Sequence, residues 1–246
     1  MDIDYNTSKN KVKYLSKFKL KKYRDKEGLF LIEGEHLVSE ALKHNIVKEI
    51  IKEVTLDITD YNNIPVTYLT KEMLSKISNN KSTPSIMALC SKLKEGTIGN
   101  KVILLDNVQD PANVGAVIRS AVAFNFATVI LGVGCADLYN PKVVSASQGM
   151  IFNINILSRG LKEIIPKLKN NEYQIIGTKM PSHPLNKFKI KEKIALIIGN
   201  EGSGVSSDIL ELCDELIYIP INNVCESLNV SVAAGIIMYE MGDKHE

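Results

Sequence analysis

Short apolar runs alternate with helix-like segments through the second half of the chain, and this alternation limits the fold more than any other feature. The clearest unit lies within 101–126. The apolar run 102–105 is typical of a strand buried in a parallel sheet. Asp110 and Pro111 then suit the N-cap and first position of a helix that continues to about 124. This pattern predicts an α/β fold with helices on both faces of a parallel sheet.

Further elements follow from the same patterns. In this half we expect strands at 128–131, 151–157, 174–177, 195–198 and 216–219, and helices at 161–168, 207–212 and 230–241. In the first hundred residues we expect helices at 9–24, 36–44 and 71–77, and strands at 29–32, 46–54, 66–69 and 86–90. The polar segment 91–100 is typical of a linker. The sequence therefore predicts two domains, a small α/β domain over 1–95 and a larger one over 96–246.

Positive charge is concentrated in residues 9–26, which we call the basic arm. The arm carries nine Lys or Arg residues and one acidic residue, so its net charge is +8, whereas the whole chain carries +2. Such asymmetry favours a polyanionic partner, and a solvated helix face is the alternative. The candidate RNA contacts are Lys11, Lys13, Lys17, Lys19, Lys21, Lys22 and Arg24.

Cysteine and histidine spacing argues against disulfide and metal sites. The four cysteines are scattered without a C-x-x-C pair, as expected of reduced cytoplasmic thiols. The four histidines form no ligand pattern, so we expect no metal. Residues 1–10 lack the apolar core of a signal peptide, and no uncharged apolar run approaches the ~20 residues of a membrane span. We therefore expect a cytoplasmic protein without a membrane segment.

Two glycine clusters raise the alternative of a nicotinamide cofactor. The cluster at Gly132 and Gly134 lacks the third glycine of the dinucleotide fingerprint, and residues 199–204 have the order G-x-x-G-x-G, which differs from it. The order of the glycines therefore argues against a nicotinamide enzyme. Glycines that follow a strand still allow a ligand to approach the backbone closely.

Three ordered motifs remain: N-V-G-A-x-x-R-S-A from Asn113, G-N-E-G-x-G from Gly199, and I-P-I…S-L-N-V-S-V-A-A from Ile219. Together they resemble the motifs of the SpoU/TrmH family of RNA ribose 2′-O-methyltransferases, which belongs to the knotted SPOUT class. The N-terminal run F-L-I-E-G-E-H-L-V-S-E-A-L is similar to the family's RNA-binding substrate domain, and within it Glu33 and Gly34 are expected to form a tight strand-to-helix turn. The resemblance implies a trefoil knot in the parallel-sheet domain, S-adenosylmethionine as cofactor, and a homodimer to which helix 230–241 could contribute.

The resemblance also implies roles for individual residues. Its active-site positions are Asn113, Arg119, Glu201, Ser227 and Asn229. Its cofactor-binding positions are Thr178, Gly199, Gly204, Ile219 and Leu228. From the sequence alone, Ser227 or Asn229 could instead cap the last helix. Arg119 could be a snorkelling or ion-paired cation of an apolar helix, for which Glu201 would be a suitable partner.

The chemistry implied is methyl transfer without a metal, and no His, Cys or unpaired Lys lies in a motif as a base. The family proposal makes the arginine the base. A guanidinium has a pKa above ~12, so stabilising the developing alkoxide or clamping a phosphate is the other open role. Ribosomal RNA is the expected substrate. A tRNA 2′-O-methyltransferase and a catalytically silent RNA-binding or ribosome-assembly protein are the alternatives.

Overall fold

The computed structural model describes residues 5–55, 61 and 63–242. The expectation about a signal peptide concerns residues 1–10, of which 1–4 lie outside this range. The chain divides into two units by its packing, Met1–Lys94 with Asp137–Phe152 and Glu95–Ala136 with Asn153–Glu246. No described helix combines the length and the apolar character that crossing a membrane requires.

The first unit is built on a four-stranded sheet. Its elements up to Lys94 are α1 (Tyr5–Ser16), α2 (Lys21–Glu27), β1 (Leu29–Glu33), α3 (Glu35–Lys43), β2 (Val47–Glu53), β3 (Val66–Leu69), α4 (Lys71–Ile77) and β4 (Ile86–Ser91). The strand order is β1-β4-β2-β3, and only the β2–β3 pair is parallel. The helix predicted over 9–24 is interrupted by a 3₁₀ turn at Lys17–Lys19. Leu15 and Phe18 anchor this region in the same buried core as residues from β1, β2, α4 and β4.

The rest of the chain forms a six-stranded sheet that is parallel throughout. Its elements are β5 (Lys101–Leu105), α5 (Pro111–Ala123), β6 (Thr128–Leu131), α6 (Pro141–Ala146), β7 (Asn155–Ser158), α7 (Leu161–Asn170), β8 (Gln174–Pro184), β9 (Ile194–Ile198), α8 (Ser207–Leu210), β10 (Glu215–Tyr218) and α9 (Val230–Met241). All of these except α6 belong to the second unit. The strand order is β10-β8-β9-β5-β6-β7, which confirms the predicted α/β class with a parallel sheet.

Three further elements differ clearly from the sequence prediction. The strand expected at 151–157 starts only at Asn155, because Met150–Phe152 forms a 3₁₀ turn. Strand β8 continues seven residues beyond the predicted end at Gly177. Helix α6 was not predicted, since six residues are too few to show a helical period, although Asn140 caps it and Pro141 occupies its first position.

The segment Asp137–Phe152 packs with the first unit although it lies within the range predicted for the second domain. Asp137 forms an ion pair with Arg24 at 2.7 Å, and the rings of Tyr139 and Phe30 lie 4.7 Å apart. Tyr139 Oη also accepts a hydrogen bond from the backbone N–H of Leu93 at 2.9 Å. These contacts make the first unit discontinuous in sequence, in contrast to the contiguous ranges 1–95 and 96–246.

One edge of the parallel sheet collects the motifs. The carboxyl ends of parallel strands lie at the same edge. The loops 106–110, 199–206 and 219–229 follow β5, β9 and β10 there. The sheet therefore brings three separate stretches of sequence together.

Candidate active site

The loop after β9 is closed by its own backbone. The Asn200 N–H donates to the Gly204 carbonyl at 2.9 Å, and the Gly204 N–H donates to the Asn200 carbonyl at 3.0 Å. The side-chain Oδ1 of Asn200 also accepts from the N–H of Gly202 at 2.9 Å. A Cβ on Gly199 would lie 2.1 Å from the Gly204 backbone, so only glycine fits before this loop. The closed loop holds Glu201 at its tip.

Glu201 accepts hydrogen bonds from the start of α5. Its carboxylate oxygens accept from Asn113 Nδ2 at 3.1 Å, from the Asp110 N–H at 3.2 Å and from the Gln109 N–H at 3.4 Å. Burial acts to raise the pKa of the Glu201 carboxyl, but hydrogen bonds from Asn113 and from backbone amides outweigh it and hold the pKa below its ordinary value. Glu201 therefore stays ionised near neutral pH and fixes the loop between β5 and α5.

The hydrogen bonds continue from Glu201 to the start of α9. The buried Asn113 accepts through Oδ1 from Asn229 Nδ2 at 3.1 Å. Asn229 Oδ1 in turn accepts from the N–H groups of Ser231 at 2.9 Å and Val232 at 3.3 Å, so Asn229 is the N-cap of α9. An ionised carboxylate only accepts, so it fixes the orientation of both amides. We call Glu201, Asn113 and Asn229 the amide chain; it joins all three motifs.

Arg119 does not take part in this chain. It lies on the exposed side of α5 with Ala112 and Ala123, and it makes no hydrogen bond or ion pair within the part of the chain that the structure describes. The expected pairing with Glu201 is therefore not observed. The reason is that the guanidinium is solvated, so it needs no internal counter-charge.

A cavity of about 290 Å³ lies beside the amide chain. All five residues predicted to bind the cofactor line it: Thr178, Gly199, Gly204, Ile219 and Leu228. Glu201 and the predicted active-site residue Ser227 lie on its wall as well. Ser227 is not the cap of α9, which leaves its exposed hydroxyl available to the cavity.

Sequence reasoning missed two charged residues of the cavity wall, Lys179 and Glu226. Lys179 reaches the cavity because β8 leaves its ladder. The register against β10 jumps from Gly177 to His183, so residues 178–182 are excluded from the pairing. The adjacency of Glu226 to the third motif was the one available signal for it.

The wall suits S-adenosylmethionine. Isoleucine side chains of β9, β10 and α9 provide an apolar surface for a flat adenine ring. Lys179 and Glu226 offer charges opposite to those of the carboxylate and ammonium at the amino-acid end. Within the described residues no group of three His, Cys, Asp or Glu could hold a metal ion.

Comparison with known proteins identifies the family. Residues 100–239 match the SpoU rRNA Methylase family, and residues 9–88 match the MRM3-like substrate binding domain. The chain belongs to the SpoU rRNA methylase family. This confirms the recognition made from the three motifs and the prediction of an S-adenosylmethionine-dependent RNA 2′-O-methyltransferase. It leaves the nicotinamide alternative without support.

Relatives of this SpoU methylase resemble it along most of their length. A 23S rRNA (guanosine(2553)-2′-O)-methyltransferase, RlmP of Bacillus subtilis, is 40% identical over 94% of this chain and 95% of its own. The 23S rRNA (guanosine-2′-O-)-methyltransferase RlmB of Coxiella burnetii is 35% identical over 65% of this chain and 64% of its own. The fold matches that of AviRb from Streptomyces viridochromogenes, solved in complex with AdoMet. Its TM-score is 0.84, with 23% identity and coverage of 94% and 96% of the two chains.

The basic arm of the SpoU methylase divides into two sets of cations. Lys11 pairs with Glu49 at 2.6 Å, and Lys19 Nζ donates to the carbonyls of Lys76 at 3.1 Å and Ser78 at 2.9 Å. Lys21, though exposed, pairs with the carboxylate of Asp25. The exposed Lys13, Lys17 and Lys22 form no ion pair among the described residues. The exposed Lys9 and Lys26 of the arm form no ion pair among the described residues either. The cations available to an RNA phosphate are therefore Lys9, Lys13, Lys17, Lys22 and Lys26.

The placement of Arg24 argues against its predicted role in RNA contact. Its side chain is buried, with 3% of the residue exposed. Its guanidinium donates to the carbonyls of Phe18 at 2.8 Å and Lys19 at 2.9 Å and forms the ion pair with Asp137. The Nε atom has no partner in the described structure. Arg24 therefore stabilises the arm from inside, because its guanidinium is buried and already bonded to Phe18, Lys19 and Asp137.

Proposed function

We propose that this SpoU methylase transfers a methyl group from S-adenosylmethionine to a ribose 2′-hydroxyl of a guanosine in 23S ribosomal RNA. The observation that carries the proposal is the amide chain, which links residues of all three motifs beside a cavity that residues of the second and third motifs line. The naming of RlmP, 40% identical along nearly the whole chain, supports the 23S substrate and the guanosine.

The residues around the cavity would divide the work. When bound, S-adenosylmethionine supplies a methyl group activated by its positive sulfur. Thr178, Gly199, Gly204, Ile219 and Leu228 would hold it. The amide chain would keep the loop before α5 and the start of α9 fixed, which is the positioning on which an in-line transfer depends. Ser227, exposed on the wall, would hydrogen-bond the ribose or its phosphate.

Arg119 is better suited to stabilise charge than to take a proton. Its guanidinium is exposed and unpaired among the described residues, so it can approach a phosphate or a developing alkoxide without breaking an existing contact. An arginine stays protonated at any physiological pH. The ribose proton would then leave to water or to a group of the RNA.

Two exposed helix faces support a homodimer. Val232, Ile236 and Tyr239 form an apolar stripe on α9 that is 38–60% exposed. This stripe borders the exposed side of α5, since Gly235 faces the hydroxyl of Ser120. Burial of such a surface between two copies would remove it from water. It would also bring Arg119, on the same side of α5, to the interface.

The proposal extends to the RNA-binding role of the first unit, to the knot and to the location of the protein. We propose that RNA binds the first unit through the exposed Lys13, Lys17 and Lys22, and through Lys21, whose ion pair with Asp25 lies at the surface. Residues 1–95 would serve mainly as the substrate domain. We also propose a trefoil knot in the parallel-sheet domain and a cytoplasmic location, as the family resemblance implies.

A methylation assay tests the function. An unmodified 23S rRNA transcript and total tRNA would each be incubated with the protein and S-adenosylmethionine carrying a labelled methyl group. A methylated 2′-oxygen cannot attack the neighbouring phosphate, so the modified position is read as a linkage that resists alkali. We expect label in the 23S transcript at a guanosine. Label in tRNA alone would show that tRNA, and not 23S rRNA, is the substrate. Label in neither RNA would favour the alternative of a catalytically silent RNA-binding protein.

A further inference from the structure

The carboxylate of Glu33 is fully engaged by a turn from another part of the first unit. Glu33 ends β1, and the turn follows α4. Oε2 accepts from Ser78 Oγ at 2.5 Å and from Asn80 Nδ2 at 3.0 Å. Oε1 accepts from the backbone N–H of Asn79 at 2.9 Å and from Asn79 Nδ2 at 3.0 Å. The four lone-pair positions of the carboxylate thus each have a donor.

The tight turn expected of Glu33 and Gly34 does not account for these bonds. Gly34 makes that turn by itself, with a φ of 98° that other residues rarely adopt. The side chain of Glu33 points instead to the turn after α4. Ser78 is 7% exposed, and its hydroxyl also accepts from the backbone N–H of Asn80 at 3.0 Å. Lys19 Nζ holds the carbonyl of the same serine.

The turn presents polar groups outward from this support. Asn79, Asn80, Lys81 and Ser82 are all exposed. Each asparagine donates from its amide to Glu33, which fixes the direction of its Oδ1, and no described group donates to either Oδ1. Lys81 forms no ion pair within the described residues. The segment 78–82 contains no acidic residue. The carboxylate of Glu33, which lies beneath it, already accepts hydrogen bonds from Ser78, Asn79 and Asn80.

We propose that this turn, residues 78–82, is a second RNA-binding surface that reads unpaired bases, and that Glu33 is its positioning residue. The inference rests on the proposed function. Side-chain amides can form directional hydrogen bonds with the edges of bases. A phosphate, in contrast, can be bound by a positive charge that has no fixed orientation. Base edges of RNA are accessible mainly where the strand is unpaired. Two oriented amides beside one free lysine therefore fit a loop or bulge better than a duplex.

The test uses the double variant Asn79→Ala/Asn80→Ala of the full chain. Affinity is measured for an unmodified 23S rRNA transcript and for a poly(A)·poly(U) duplex across a range of salt concentrations. We expect roughly tenfold weaker binding to the transcript, from the loss of two hydrogen-bonding side chains, with duplex affinity and salt slope unchanged. Unchanged transcript binding, or an equal loss for both RNAs, would overturn the proposal. Asn186→Ala, an exposed asparagine of the second unit, is the control.

A second variant tests the positioning role. In Glu33→Gln one oxygen becomes a donor and faces the donors of the turn, so the asparagines should lose their fixed orientation. The preference for transcript over duplex should fall several-fold. Glu53→Gln is the matched control, since Glu53 ends β2 of the same sheet and makes no side-chain hydrogen bond among the described residues. If preference is retained in Glu33→Gln, the positioning role is wrong.

Failure of the inference is distinguishable from failure of the proposed function. Calorimetric binding of S-adenosylmethionine and methylation of the 23S transcript by the parent protein are measured alongside. Loss of RNA preference in the variants with normal cofactor binding supports the inference. A parent protein that neither binds the cofactor nor methylates RNA would refute the function on which the inference rests.

Discussion

The amide chain of the second unit and the basic arm of the first use polar groups in opposite ways. In the second unit the amide chain satisfies one carboxylate with donors of fixed direction, and every link joins residues of different motifs. In the first unit the basic arm carries a large positive charge, but Lys11, Lys19 and Arg24 are bonded to groups of the protein itself. Motif spacing therefore located a site, whereas net charge located only a region. The number of charges in the arm therefore overstates the surface available to RNA.

The largest expected effect is on stability, and it concerns Arg24 of the basic arm. Arg24→Met leaves Asp137 with only the longer contact to Lys21 at 3.7 Å. We expect a loss of about 3 kcal/mol in the free energy of unfolding, the scale of a broken buried ion pair. Denaturant unfolding measures it. The double variant Arg24→Met/Asp137→Leu should recover much of the loss, because no charge is left unpaired. A normal unfolding curve with weakened RNA binding would instead restore Arg24 as an RNA contact.

The next effect concerns the catalytic unit. Arg119→Ala should lower the single-turnover rate by at least ~100-fold, the scale of losing one preorganised stabilising group. Because the side chain is exposed, the melting temperature and S-adenosylmethionine affinity should stay unchanged. Arg119→Lys should also fail, since a point charge does not reproduce the planar fork. Arg159→Ala, another exposed arginine of this unit, is the control. Turnover within a few-fold of the parent would remove the catalytic assignment.

These two arginines show what a sequence conveys and what it does not. Pro111, Asp110 and the alternation of apolar runs predicted the sheet and α5, since caps and strand patterns are local. The burial of Arg24 depends on Asp137, 113 residues further along the chain, and no local pattern reveals such a partner. The alternative that Arg119 forms an ion pair with Glu201 failed for a related reason. The sequence of a helix that is apolar on all sides does not indicate which face will stay exposed to solvent.

The same limit applies to the cavity. Thr178 and Gly199 were placed by resemblance to motifs, and the structure brings them together on one wall. Lys179 was missed because the departure of β8 from its ladder follows from pairing with β10, which is distant in sequence. The N-cap role of Asn229 was one of two options that the sequence allowed. Only the contact with Asn113 shows why the asparagine serves as the cap.

A third prediction concerns the link between the motifs. Asn113→Ala removes the donor to Glu201 and the acceptor for Asn229, and we expect a loss of about 1–3 kcal/mol in unfolding free energy together with at least tenfold lower turnover. Asn113→Asp should be worse at pH 7, because it places a second carboxylate beside Glu201. This difference should shrink at pH 5 as the pair takes up a proton. Equal stability of the two variants at both pH values would contradict the amide chain.

A fourth prediction sharpens the division of the basic arm. The triple variant Lys13→Gln/Lys17→Gln/Lys22→Gln should weaken RNA binding and reduce its salt slope by about 2, at roughly 0.7 per phosphate contact with single strands. The double variant Lys11→Gln/Lys19→Gln should instead leave the slope unchanged and lower the melting temperature, because these lysines contact protein groups. Salt titrations of RNA affinity, paired with melting curves, measure both. Equal slopes in the two variants would show that the division has no bearing on RNA binding.

The smallest expected effect is the pH dependence of the Glu201 link. The folded state holds the pKa of this carboxyl below its unfolded value, so the stabilisation is complete above the unfolded pKa and is lost as pH falls through the folded one. The carboxylate is largely exposed, and solvent screening keeps the contribution under about 1 kcal/mol. Comparing unfolding curves of the parent and Glu201→Gln from pH 7 down to pH 3 isolates it. The two should converge as the pH falls, because protonation removes the same charge that the substitution removes. A difference that grows toward low pH would mean that the carboxyl is stabilised in its neutral form, which would contradict its role as the acceptor at the end of the amide chain.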